Sequence, residues 1–136
     1  MRVEYARERD LSCDDFISVL EASGLAGRRP VADRDRIERM LRGANLIIVA
    51  RDADSGAAVG VARSLTDFSY CCYLSDLAVD RACQGRGIGQ QLITETRRAA
   101  GEEAMCLLLS APAAVSFYNA IGMPREGLAY MYSRER

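Results

Sequence analysis

A glycine-rich turn, Gln84-Gly85-Arg86-Gly87-Ile88-Gly89, constrains this chain more than any other feature of its sequence. The apolar residues that end in Leu77-Ala78-Val79 precede it as a buried strand would, and apolar residues recur after it at helical intervals to about Ala100. A helix that begins at such a turn presents unpaired backbone N–H groups at the positive end of its dipole. Glycines let the backbone approach an anion closely, and Arg86 adds a positive charge. The turn therefore predicts an anion site, with phosphate as its usual occupant.

Composition and spacing exclude the two commonest phosphate-binding motifs. The chain contains no Lys, so a P-loop is impossible. The dinucleotide fingerprint G-x-G-x-x-G would need a glycine at position 90, but this chain has Gln90 and its third glycine comes one residue early. The chain also contains no His, which excludes a Ser-His-Asp triad and a histidine-ligated metal site. No metal is therefore expected. A net charge of −1 disfavours nucleic acid as a partner, since phosphate neutralisation needs a basic excess.

The 136 residues predict a single domain over residues 1–136. Hydrophobic periodicity and turn signals predict an α+β fold of alternating strands and helices. The expected strands are Arg2–Ala6, Leu46–Ala50, Ala57–Leu65, Phe68–Val79, Met105–Leu109 and Gly127–Tyr132, and the expected helices follow Ser12, Asp33, Gly87 and Ala113. No apolar run is long enough to cross a membrane, and the five cysteines form neither a zinc set nor a disulfide framework. They are typical of a reduced, cytoplasmic protein.

Two motifs together resemble those of the GNAT family of N-acetyltransferases. The first is Gln84-x-x-Gly87-x-Gly89 after the strand that ends at Val79, and it is similar to the family's acetyl-CoA-binding motif. The second is the segment from Ala113 to Met123, a helix with Phe117-Tyr118 followed by Gly122. The resemblance implies a central, mostly antiparallel and splayed sheet flanked by about four helices. It also implies acetyl-CoA as the co-substrate.

The resemblance also implies roles for particular residues. Backbone groups of the splayed strand would bind the pantetheine arm, backbone amides of the turn would hold the pyrophosphate, and Tyr118 would protonate the departing thiolate. Asp76 is the candidate general base, because it is the nearest carboxylate to the position of the base in some relatives, where this chain has Tyr73. The alternatives are a base relayed through water, or no base. The expected cofactor-binding residues are Leu77, Ala78, Val79, Gln84, Gly85, Arg86, Gly87, Ile88 and Gly89.

The predicted function is transfer of acetyl from acetyl-CoA to a primary amine by direct attack on the thioester. The acceptor is a small molecule or a peptide amine. Arg28 and Arg29 lie in a loop between the first two helices, a region that lines the acceptor pocket in similar proteins. In this chain the two side chains would either attract an acidic acceptor or be merely solvated. The alternative function is a catalytically degenerate module that binds CoA or acetyl-CoA as a sensor or interaction partner. A homodimer is also expected, because exposed sheet edges are often paired between copies.

Overall fold

The computed structural model describes residues 1–136 and contains one five-stranded sheet with the strand order β1-β2-β3-β4-β5. The first four strands pair antiparallel with their neighbours, whereas β5 is parallel to β4. The strands are β1 Val3–Arg7, β2 Leu46–Asp52, β3 Ala58–Thr66, β4 Cys71–Val79 and β5 Met105–Leu107. The predicted mostly antiparallel α+β fold is confirmed.

Four α-helices flank the sheet, namely α1 Cys13–Ser23, α2 Arg34–Gly43, α3 Ile88–Ala100 and α4 Val115–Ala120. The predicted cap of α1 is present, because the hydroxyl of Ser12 accepts a hydrogen bond from the backbone N–H of Asp15 at 3.1 Å. Asp33 caps α2 in the same way through the N–H of Arg36. No helix is long and apolar enough to cross a membrane.

The core lies on both faces of the sheet. On one face α3 packs through Leu92 and Ile93 against residues of β2, β3 and β4. On the other face α1 and α2 pack through Phe16, Leu20 and Leu41 against the opposite side chains of the same strands. Burial of a side chain of this size stabilises the fold by about 1.5–3 kcal/mol, so these two layers hold the central strands in place.

The predicted final strand, Gly127–Tyr132, is not formed. Residues 123–136 have no regular secondary structure, and Leu128, Tyr130 and Tyr132 are exposed. The sequence alternates as a strand does, but a strand also needs a partner to take up its backbone hydrogen bonds. No strand pairs with the outer edge of β5, so both this segment and that edge are free.

Candidate active site

A cleft opens where β4 and β5 diverge. Only Cys71, Cys72 and Tyr73 of β4 pair with β5, so the second half of β4 has no neighbour on that side. The resulting cleft has a volume of about 520 Å³. It is lined by residues from the end of α1, the second half of β4, the glycine turn and the α4 region, namely Ser23, Gly24, Leu25, Arg28, Leu77, Ala78, Val79, Arg81, Gln84, Gly85, Gly87, Ile88, Gly89, Ala111, Ala113, Ala114, Phe117 and Tyr118.

The glycine turn presents the first turn of α3 to this cleft. Gly87 is the N-terminal cap of the helix and has a φ of 78°, which favours glycine because a side chain is strained there. No side chain caps the helix, and the first backbone N–H bond in it is from Gln91 to the carbonyl of Gly87 at 3.0 Å. The N–H groups of residues 88–90 therefore have no intrahelical acceptor and are free to bind an anion.

Gly89 allows α4 to approach α3 closely. A Cβ atom at this position would lie 2.8 Å from Cζ of Phe117, closer than real Cβ atoms come to their neighbours. The ring of Phe117 in turn contacts Tyr118 edge to face, with the ring centroids 5.1 Å apart. Because Gly89 has no side chain, the aromatic residues Phe117 and Tyr118, which line the cleft, lie close to the start of α3 with its free N–H groups.

The charge of the cleft suits a phosphate-bearing ligand. Arg28 and Arg81 are among its lining residues, and no Asp or Glu is. Arg86 is exposed and does not line the cleft, whereas Arg81 does, although the sequence did not single it out. The position of Arg81 between the end of β4 and the glycine turn is the sequence feature that could have identified it as a cleft residue. Free helix N–H groups, the guanidinium of Arg81 and an unpaired strand edge all fit the chemistry of acetyl-CoA, so the residues present suit this co-substrate.

Tyr118 lies at one end of the cleft. It is half-buried, and burial raises the pKa of its hydroxyl above the ordinary value of 10.0. A second, smaller pocket of about 70 Å³ adjoins this end and is also lined by Tyr118, Leu77 and Arg28. The phenol therefore stands between two spaces and is protonated at neutral pH, as a proton donor must be.

Asp76 lies on the opposite face of β4. Its carboxylate is fully buried and accepts hydrogen bonds from the Nε groups of Arg29 and Arg63. The register of β4 against β3 shifts at Ser75, and despite this bulge Asp76 does not line the cleft that Leu77 and Val79 line. Because the two guanidinium groups stabilise the charged carboxylate, this arrangement favours an ion-pairing role. The predicted role of Asp76 as a general base stays a prediction.

Most of the predicted cofactor-binding residues line the cleft, and Arg86 is the exception. Leu77, Ala78 and Val79 line the cleft with their strand edge unpaired, and Gln84 donates from its side-chain amide to the carbonyl of Val79 at 3.2 Å. This bond ties the glycine turn to the end of β4. No group of three or more His, Cys, Asp or Glu side chains is arranged to hold a metal ion.

Solved structures with the same fold are numerous. A GNAT-family acetyltransferase from Streptococcus pneumoniae is 22% identical with a TM-score of 0.74, and the match covers 98% of this chain and all of that one. An aminoglycoside acetyltransferase from an uncultured soil metagenomic sample, in complex with sisomicin, is 20% identical with a TM-score of 0.71 over 98% and 97% of the two chains. An aminoglycoside N-acetyltransferase in complex with CoA is 15% identical with a TM-score of 0.73 over 99% and 96%.

No curated protein sequence matches the chain. The family model of the acetyltransferase (GNAT) domain matches residues 43–122, from the end of α2 through the glycine turn to Gly122. This range includes β4, α3 and α4, which are the elements that form the cleft. The chain belongs to the GNAT acetyltransferase family.

Proposed function

We propose that this protein transfers an acetyl group from acetyl-CoA to a primary amine. The observation that carries the proposal is the cleft between the diverging halves of β4 and β5. Its lining includes the start of α3 and Tyr118, so a single elongated ligand in it would meet both an anion site and a proton donor. The CoA complex of the similar aminoglycoside N-acetyltransferase supports this choice of co-substrate.

The chain's own groups bind and orient the co-substrate in this proposal. The N–H groups at the start of α3 bind the pyrophosphate, with the dipole of the helix and Arg81 adding favourable charge. The unpaired backbone of Leu77, Ala78 and Val79 binds the pantetheine arm through hydrogen bonds, as it would bind an added strand. Acetyl-CoA supplies an activated acyl carbon at the end of that arm, and no covalent adduct with the protein is needed.

Tyr118 acts as the proton donor. The neutral amine forms a C–N bond with the acyl carbon while the C–S bond breaks and the electron pair stays on sulfur. The phenol gives its proton to that sulfur, the new ammonium loses a proton to water, and the phenolate is reprotonated from solvent. Burial keeps the pKa of Tyr118 above 10.0, so the donor form prevails across the physiological range.

No carboxylate lines the reacting end of the cleft, so the proposal includes no side-chain base in direct contact with the amine. The amine enters as the small neutral fraction present at neutral pH, or it loses its proton through ordered water. Nearby guanidinium groups help, because like charge lowers the pKa of an ammonium. Asp76 is held between Arg29 and Arg63, and it would act on the amine only through these partners.

The alternative function is a module that binds CoA or acetyl-CoA without turnover. The absence of a carboxylate at the reacting end favours this reading, whereas the placement of Tyr118 between the two pockets favours the enzyme. Release of free thiol from acetyl-CoA in the presence of amines separates the two, since only an enzyme accelerates it.

Calorimetric titration with acetyl-CoA tests the proposal, and Gly87→Glu is the informative variant. We expect saturable binding by the wild-type protein and at least a hundredfold loss in the variant, because the carboxylate repels the pyrophosphate and the side chain strains a backbone with φ of 78°. Gly56→Glu is the matched control, since Gly56 has a φ of 77°, open space around it and lies in the β2–β3 turn far along the chain. Unchanged affinity in Gly87→Glu would contradict the proposed site.

We also propose that the protein is a homodimer that works in the cytoplasm. The free outer edge of β5 and the exposed alternating segment Gly127–Tyr132 support a contact in which the segment of one copy pairs with β5 of the other. All five cysteines are free thiols, as expected for a reducing compartment.

A further inference from the structure

The small pocket beside Tyr118 carries positive charge. Arg28 and Arg29 line it together with Ser75 and apolar side chains, and no Asp or Glu is among its lining residues. The adjoining cleft also has no acidic lining residue. The charged side chains that an amine meets from this side are therefore cationic.

The two arginines differ in what holds them. The guanidinium of Arg29 donates to the carboxylate of Asp76, to the carbonyl of Ser75 at 3.0 Å and to the carbonyl of Arg28 at 2.9 Å. All three of its nitrogen atoms are thus engaged. The guanidinium of Arg28 is exposed at the edge shared by both spaces, and it takes part in none of the ion pairs or side-chain hydrogen bonds of the chain. Arg28 is therefore the free cation at the reacting end.

The buried ion pairs behind the pocket do not cancel this charge. Asp76 contributes one carboxylate, whereas Arg29 and Arg63 both pair with it. The set of Arg28, Arg29, Arg63 and Asp76 has three positive charges against one negative charge. Arg63 and Asp76 offset each other, so the excess positive charge is carried by Arg29, which is partly buried, and by Arg28, which is exposed.

We infer that the acceptor is a small amine that also bears a negatively charged group, such as a carboxylate, and that Arg28 binds this group. The inference rests on the proposed function and names the acceptor class for the same site. The anionic group offsets the excess positive charge, and a guanidinium binds a carboxylate or a phosphate through paired N–H groups. A polycationic acceptor, such as the sisomicin bound to the similar aminoglycoside acetyltransferase, meets repulsion instead.

The test compares matched amines by thiol release from acetyl-CoA. The probes are β-alanine and its amide, ethanolamine phosphate and ethanolamine, and the polycation sisomicin. We expect kcat/KM for each amine with an anionic group to exceed that of its partner without this group at least tenfold, with sisomicin lowest. The amine of β-alanine amide is less basic than that of β-alanine, so a larger fraction of it is in the neutral, reactive form. Basicity alone would therefore favour the amide, which is opposite to the expected order. The two anionic probes distinguish a carboxylate site from a phosphate site.

Arg28→Gln assigns the effect to one side chain. We expect the KM for the amine with an anionic group to rise at least tenfold. The KM for its partner without this group and the KM for acetyl-CoA should be unchanged. Arg28→Lys should restore part of the loss because it keeps the charge. Arg39→Gln is the matched control, since Arg39 is exposed on α2 and lines neither space.

The outcomes separate this inference from the proposed function. Turnover that favours polycationic amines or amines without an anionic group overturns the inferred acceptor class and leaves the acetyltransferase proposal standing. A rise in the KM for acetyl-CoA in Arg28→Gln also overturns it, because Arg28 would then bind the co-substrate. Failure to bind acetyl-CoA, or thiol release with no amine at all, overturns both.

Discussion

The two ends of this chain are packed very differently. Every buried residue lies between Leu11 and Ala100, whereas residues 101–136 contain none. The first region, residues 1–100, supplies β1 to β4 together with α1, α2 and α3, and therefore the helix start that is proposed to bind the anion. The second supplies β5 and α4, and with them Tyr118. The proposed co-substrate half of the site is thus part of a well-packed core, while the half that carries Tyr118, the proposed proton donor, rests on its surface.

The difference has a consequence for catalysis. The α4 region is held against the core by a few half-buried side chains, of which Phe117 packs against Gly89. Segments with few buried apolar contacts open at low free-energy cost. We expect changes in the first region to affect folding and co-substrate binding together, and changes in the second to affect turnover with little loss of stability.

The largest effect is expected from Asp76→Asn, in the well-packed region. Removing this charge leaves Arg63 buried without its ionic partner, which should lower the free energy of unfolding by about 3–5 kcal/mol. Urea denaturation measures this loss. Asp14→Asn is the matched control, because Asp14 pairs with Arg34 at an exposed surface and should cost far less.

The same variant tests the predicted catalytic role of Asp76. A general base contributes about a hundredfold or more to kcat, and its loss changes the pH profile. Measured under conditions where Asp76→Asn is folded, a smaller loss of kcat with an unshifted profile would agree with the ion-pairing role. Equal unfolding free energies for Asp76→Asn and Asp14→Asn would contradict the importance of the buried pairs.

An intermediate effect is expected from Tyr118→Phe, in the loosely packed region. Loss of the phenol proton should lower kcat about tenfold, or by about 1.4 kcal/mol of barrier, with acetyl-CoA affinity and stability nearly unchanged. The wild-type rate should not fall through ionisation of this donor until the pH exceeds 10.0, because burial raises the pKa and the donor form persists below it. Tyr70→Phe, an exposed tyrosine, is the control. An unchanged kcat would make Tyr118 a packing residue only.

The sequence predicted the first region better than the second, and the reason is physical. Helix caps such as Ser12 and the glycine turn are local chemistry, so they can be read from neighbouring residues. The segment Gly127–Tyr132 alternates like a strand, but alternation describes a face and does not supply a partner strand. Its failure to pair within the chain depends on where the edge of β5 lies, which no local pattern specifies.

The same limit applies inside the site. The sequence brought Asp76 forward as the nearest carboxylate but did not reveal its two partners, because Arg63 lies on the adjacent strand and Arg29 comes from a loop 47 residues earlier. Tertiary ion pairs of this kind have no spacing rule. The proposed cofactor-binding residues come mostly from one short segment, so local spacing was enough to predict them.

The smallest effect on the folded monomer is expected from changes in the exposed segment at the end of the chain. The double variant Leu128→Ser, Tyr130→Ser removes two side chains that contact no core, so the unfolding of the monomer should be unaltered. If this segment pairs with β5 of a second copy, the same variant should raise the dimer dissociation constant at least tenfold, measured by sedimentation. Tyr70→Ser removes similar apolar surface from another exposed site and should leave the dimer intact. A wild-type protein that sediments as a monomer at every concentration would contradict the predicted dimer, and the open edge of β5 would then be a free surface in solution.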